Sequence, residues 1–258
     1  MSALMRPADR FGDRGSAMKT IAVVALKGGT GKTTVSVNLA ARAYDAGLQV
    51  MLADMDPQGS STDWSRARSK DGPALLPLKV GSLFPAQNAA ENALFDLMVI
   101  DTRSSSQLDV ITAVKAADLS LIVVRPTVID LRASAAMVEL LRPLRRPSAF
   151  VINQAPCQRV GRDPVIVMEA IELLMSYGLT LAPVGLRSRQ IYQTAFSEGR
   201  TPYEDDPAGP AGVEVDRLWS FVAARLWPQG LTSRVPQGDR RRRSAHMAAL
   251  TAGAAPSA

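Results

Sequence analysis

The stretch VVALKGGTGKTT, residues 23–34, joins an apolar run to a helical pattern through a glycine loop, and few folds accommodate that order. Gly28, Gly29, Thr30, Gly31, Lys32 and Thr33 stand where a buried strand would turn into a helix. Glycines let successive backbone N–H groups turn inward around phosphate oxygens, and the helix N-terminus adds its positive end. In that setting Lys32 reaches β- and γ-phosphates and Thr33 offers its hydroxyl to Mg²⁺, with Thr34 completing the nucleotide-binding set. A glycine-rich turn without a ligand requires neither a lysine nor a hydroxyl in this register. The spacing departs from the common G-x-x-x-x-G-K-[ST], and position 27 carries a second lysine.

Apolar or β-branched runs at 20–25, 48–53, 97–100, 119–124, 149–153 and 180–184 predict strands, with a weaker candidate at 76–80. Each is short and continuously apolar, the pattern of strands buried on both faces. Helical patterns lie between most of them, for example at 33–46 and 132–141. A last helix is predicted at 211–227, where Val215, Leu218, Trp219, Val222 and Leu226 form one stripe. This alternation predicts an α/β fold: a mostly parallel, twisted sheet with helices on both faces. Right-handed crossovers then gather the loops that follow the strands along one edge, where ligands bind.

Three acids fall at such strand ends. Asp54 and Asp56 lie in VMLADMDPQGSS, and Asp101 closes LMVID, the Walker B position. Taken singly, such an aspartate is more often a helix cap or turn residue. Three at successive strand ends beside a phosphate loop point to Mg²⁺.

The chain has 258 residues, 47% of them hydrophobic, enough for one well-buried α/β domain. A single cysteine, Cys157, excludes an internal disulfide framework, and one histidine leaves little material for a zinc site. A reducing, cytoplasmic setting fits. No apolar run approaches the ~18–20 residues of a membrane span. The formal charge of +6 is unevenly placed: residues 228–258 hold five arginines, Arg234 and Arg240 to Arg243, against Asp239. That segment reads as a disordered basic tail, and residues 1–18 as a flexible leader. Nucleic-acid affinity of the nearly neutral body then requires local clustering of arginines.

KGGTGKTT is the deviant Walker A motif, and on it the sequence resembles the ParA/MinD group of P-loop ATPases. The resemblance covers residues 19–227 and implies an ATPase domain of P-loop NTPase fold with weak intrinsic activity, using ATP and Mg²⁺. It implies an ATP-sandwiched homodimer in which Lys27 reaches the partner subunit's phosphates. A lysine in trans makes hydrolysis conditional on dimerisation. By the same resemblance Asp56 orients the attacking water, Asp54 helps hold the magnesium shell, and Asn153 in FVINQAP recognises adenine. Thr102 and Arg103 follow Asp101 where many relatives carry small residues and prolines. The blocks STDWSRA, LIVVRPTVIDLRAS and LRSRQIYQTAFSEGRTPYE look most like the small ParF-like plasmid-partition proteins, and Pro126 and Asp130 match positions near the dimer interface.

The expected activity is DNA partition. The ATP dimer coats nucleoid DNA nonspecifically, and a centromere-bound, ParB-like partner protein stimulates hydrolysis and releases it. Candidate DNA contacts are Arg187, Arg189 and Arg217, with Arg200 and Arg225 nearby. Eighteen residues before the first strand are too few for a helix-turn-helix domain, so operator reading is not expected. Among the alternatives, a MinD-type membrane-recruited ATPase needs a C-terminal amphipathic helix, and RRRRSAHMAALT offers only Met247 and Leu250 as large apolar residues. No stable membrane association is therefore expected. An iron–sulfur reductase needs more thiolates than one per chain. Positioning of a protein cargo uses the same engine, and an ATP-binding adaptor without turnover is a further alternative.

Overall fold

A computed structural model describes residues 17–103 and 106–231. Seven strands form one sheet in the order β3-β2-β4-β1-β5-β6-β7, with every pairing parallel. The strands are β1 (Lys19–Val24), β2 (Val50–Asp54), β3 (Ala74–Pro77), β4 (Leu97–Asp101), β5 (Leu119–Val124), β6 (Ser148–Ile152) and β7 (Thr180–Leu181). The helices are α1 (Lys32–Asp45), α2 (Ser60–Ala67), α3 (Leu83–Asn92), α4 (Gln107–Ala116), α5 (Val128–Leu141), α6 (Val165–Ser176), α7 (Ile191–Ser197), α8 (Pro202–Asp205) and α9 (Pro210–Leu226).

Strand periodicity divides the core. Ile21 and Val23 of β1, with Leu97 and Val99 of β4, pack towards α1 and α9. Ala22 and Val24, with Met98 and Ile100, pack towards α4 and α5. Both faces are buried, which is why these strands read as continuous apolar runs rather than alternating ones. A side chain such as Ile21 or Leu97, with no exposure, contributes roughly 1.5–3 kcal/mol by leaving water. The stripe predicted on the last helix is its buried face: Val215, Leu218, Trp219, Val222 and Leu226 all lie in the core. Arg42 of α1 ties that helix down through Asp216 at 2.7 Å.

Several boundaries differ from the sequence expectation. β3 occupies Ala74–Pro77 rather than 76–80, because the chain turns at Val80 into a short 3₁₀ segment. β7 stops at Leu181; it is an edge strand, and Pro183 cannot continue its ladder. α5 starts four residues before 132, where the Thr127 side chain accepts from the Asp130 backbone N–H and caps the helix. Met18 belongs to the core rather than to the leader. The rest of the leader, residues 1–16, and most of the tail, 232–258, lie outside the described residues.

Candidate nucleotide site

β1 sits inside the sheet between β4 and β5, so the loop leaving it opens at the middle of the sheet's C-terminal edge. That loop holds Lys27 to Gly31, and α1 begins at Lys32. Gly31 is its N-cap at φ +87°, a conformation that disfavours a side chain. A Cβ at Gly31 would also lie 2.0 Å from Asn153 Nδ2. Lys27, Gly28 and Gly29 are exposed, whereas Thr30 and Lys32 are buried. The two lysines therefore point to different places: one into the site, one away from the core.

Register brings the acids to the loop. Val23 of β1 pairs with Asp101 of β4, and Asp101 pairs with Asp54 of β2. Asp101 has no exposure and accepts from Ser61 Oγ at 2.7 Å and Ser36 Oγ at 3.3 Å. Burial pushes its carboxyl up to about 6, opposed by the hydroxyls of Ser61 and Thr33. Burial likewise lowers Lys32, while Asp101 and Asp56 pull it back up. A desolvated lysine facing two carboxylates suits a site built to receive further negative charge.

Asp54 accepts three hydrogen bonds. Its Oδ2 accepts from both the backbone N–H and the hydroxyl of Thr62, at 2.9 and 2.7 Å, and its Oδ1 accepts from Asp56 N at 3.1 Å. These bonds tie Asp54 to α2 and to the Asp56 turn. Asp56 is half-buried, and its Oδ1 accepts from Gln58 N at 3.0 Å. Arg103 does not turn to the loop; it pairs with Asp109 in the first turn of α4 at 3.4 Å. Hard oxygen donors at Thr33, Asp101 and Asp56 fit Mg²⁺, which takes most of its shell from phosphates and water. Among the described residues no group of three or more His, Cys, Asp or Glu side chains is placed to hold a metal ion by itself.

Asn153 lies across the loop. Its Nδ2 donates to Thr30 O at 2.7 Å, and the next residue, Gln154, donates from Nε2 to Gly29 O at 3.1 Å. The amide nitrogen is thus engaged with the loop. Beside it, Thr33, Thr34, Asn153, Tyr192, Gln193 and Phe196 help line a cavity of about 430 Å³.

Two expected DNA contacts border this cavity as well. Arg187 pairs with Asp163 at 2.6 Å, and Arg189 makes two bonds to Glu214 Oε1, at 2.9 and 2.7 Å. Arg200 pairs with Glu198 and Asp205, and Arg225 lies over the Phe221 ring. Among the described residues, Arg217 and Arg225 are the two of the five that are exposed without an ion pair, and Arg225 is held at Phe221. Sequence reasoning missed Ser61, Thr62 and Gln154. The hydroxyls of SSTDW, six to eight residues after Asp54, carried the available signal.

The described residues contain no helix long and apolar enough to cross a membrane. Residues 21–203 match the model of the CobQ/CobB/MinD/ParA nucleotide binding domain. The chain is 31% identical over 215 residues to the Maintenance of carboxysome distribution protein A of Halothiobacillus neapolitanus, covering 79% of this chain and 95% of that one. It is 27% identical over 245 residues to the chromosome-partitioning ATPase Soj of Thermus thermophilus, covering 81% and 97%. Its fold matches the septum site-determining protein MinD of Pyrococcus horikoshii complexed with Mg-ADP, at TM-score 0.65 and 18% identity, over 80% of this chain and 96% of that one. The loop, the acids at its side and these matches together place the chain in the CobQ/CobB/MinD/ParA family of nucleotide-binding ATPases.

Proposed function

We propose that this protein is a DNA-partition ATPase of ParA type: two copies close over two ATP molecules with Mg²⁺, and the dimer binds DNA nonspecifically. A centromere-binding, ParB-like partner then stimulates hydrolysis and releases it. The observation that carries the reading is the opposed disposition of the two lysines, Lys32 buried within the site and Lys27 exposed at its rim. An exposed lysine at the rim of a phosphate loop has no phosphate of its own to meet, and a second copy supplies one. Lys32 neutralises the phosphates in place, Asp56 orients the attacking water, and Thr33 and Asp101 hold the ion's water shell. Mg²⁺, when bound, supplies charge neutralisation at the phosphates. Hydrolysis is slow unless stimulated, because the cycle serves to switch state. The protein acts in the cytoplasm on the nucleoid.

A second reading keeps the engine and changes the cargo. The relative named for maintenance of carboxysome distribution is aligned over nearly its whole length, which supports a protein assembly as cargo. Imaging separates the two: deletion of the gene raises the frequency of plasmid- or chromosome-free cells under the first reading. Under the second it leaves DNA inheritance unchanged and disperses or clumps a protein body. Size-exclusion chromatography with ATP and ADP tests the common core: a dimer with ATP alone supports it, and a monomer under both conditions overturns it.

A further inference from the structure

β5 ends at Val124 beside β1, and the next residue, Arg125, lies against the phosphate loop. Asp130, whose side chain is 2% exposed, holds one edge of its guanidinium, with Nε to Oδ2 at 2.6 Å and Nη2 to Oδ1 at 3.2 Å. Asp130 is fixed in turn by the cap at Thr127 and by its place in the first turn of α5. The remaining nitrogen, Nη1, faces the loop. It lies 3.8 Å from the position a Cβ would take on Gly29. Nη1 makes no hydrogen bond among the described residues, and the Gly29 carbonyl is already engaged by Gln154.

A structural buttress would end on an acceptor. This guanidinium ends on a glycine whose backbone belongs to an anion cradle. A planar fork gripped along one edge loses little entropy when its free nitrogen takes a further bond, and phosphate oxygens are its natural acceptors. Gly29 precedes Lys32 by three residues, in the half of the loop that reaches the outer phosphates. We propose that Arg125 is a phosphate-contacting residue of this site, its Nη1 donating to the terminal phosphate of a nucleoside triphosphate in its own chain's loop while Asp130 holds the rest of the fork. The inference rests on the nucleotide reading of the loop. It adds a cation on the side of the loop opposite Asp101 and Asp56, distinct from Lys27 and Lys32.

The test compares affinities for ADP and for AMPPNP in the presence of Mg²⁺, by calorimetry on the full chain, with thermal melting as a check of folding. Arg125→Ala is expected to lose about tenfold or more for AMPPNP, equivalent to about 1.4 kcal/mol, with ADP affinity held within about twofold. Arg125→Lys recovers only part of the loss, because an ammonium cannot hold both Asp130 oxygens and the phosphate. Equal losses for both nucleotides would make Arg125 a loop support and overturn the proposal, as would no loss. A loss that appears only at protein concentrations where the chain dimerises would move the contact to the partner's nucleotide and overturn the assignment to the same chain. Should Arg125→Ala fail to fold, Arg125→Gln keeps a donor for Asp130 and gives the same comparison. Wild-type protein that binds neither nucleotide would overturn the reading of the loop itself, and this inference with it.

Discussion

Asn153 Nδ2 donates to Thr30 O across 2.7 Å, joining the end of β6 to the phosphate loop over 123 positions of sequence. Both residues are buried. The bond sets the loop's shape before any nucleotide arrives, which lowers the ordering cost of binding. Asn153→Ala removes it and leaves the Thr30 carbonyl without that partner, at about 1–3 kcal/mol. Nucleotide affinity measured by calorimetry is expected to fall by about tenfold or more for ATP analogues and ADP alike, with the melting temperature lowered by a few degrees. Base recognition by Asn153 instead predicts a change in the preference for ATP over GTP, with total phosphate affinity unchanged.

Asp101 gives the protein a pH dependence in the absence of magnesium. Its carboxyl is raised by burial to about 6 from an ordinary value of 3.8. Between those values the folded state binds the proton and the unfolded state does not. Stability contributed by this group therefore rises as pH falls through 6 and is lost above it. The cost of the buried charge at neutral pH is on the order of 3 kcal/mol at 1.36 kcal/mol per unit. Asp101→Asn removes it. In metal-free buffer the variant is expected to melt several degrees above wild type at pH 7.5, with the gap closing by pH 4, and to lose ATP hydrolysis. An unchanged gap across that range would show that Asp101 is not the group responsible.

Lys27 and Lys32 divide the site's work. Lys27→Ala is expected to bind ATP within about threefold of wild type while losing most of its stimulated hydrolysis. Lys32→Ala loses binding itself. Phosphate release measured in mixtures supplies the sharper check. Lys27→Ala mixed with a Lys32→Ala chain should recover part of its turnover, since one functional site forms between the two. Normal turnover by Lys27→Ala alone would end the assignment in trans.

The sequence made the scaffold legible wherever one local signal sufficed. Continuous apolar runs gave the parallel strands, and KGGTGKTT gave the strand–loop–helix at β1 and α1. Asp101 was legible because it ends such a run. Side-chain partnerships were not. Asp54 occupies the strand-end position of a metal ligand, yet Thr62, eight residues on, takes one of its oxygens. Asn153 and Thr30 meet only through the sheet order, which places β6 two strands from β1. Arg189 reads as a surface cation until Glu214, 25 residues away, folds against it. Pairing across such distances depends on topology, which residue type and spacing do not encode.

The same pairing redistributes the expected DNA contacts. Glu214 is 8% exposed and accepts from Arg189, from Tyr192 Oη at 3.0 Å and from Arg187 N at 3.0 Å. Its charge lies against the Tyr192 hydroxyl, whose ionisation burial and that charge together suppress. Arg189→Ala strips from this carboxylate the only guanidinium that reaches it among the described residues, so its first effect is on stability, about 1–3 kcal/mol. For a domain of this size that is a fall of some 2–4 °C per kcal/mol in melting temperature. Arg217 carries no such duty, and Arg217→Ala is expected to melt as wild type does. If the ATP dimer holds duplex DNA through Arg217, that variant binds uniformly more weakly across sequences. The slope of log affinity against log salt then falls by about 1 per neutralised phosphate. Fluorescence anisotropy with two unrelated duplexes at several salt concentrations measures both quantities. Equal slopes for wild type and Arg217→Ala would remove Arg217 from the interface. Loss of DNA binding by Arg189→Ala at temperatures where it is fully folded would mean that Arg189 leaves Glu214 to take a phosphate.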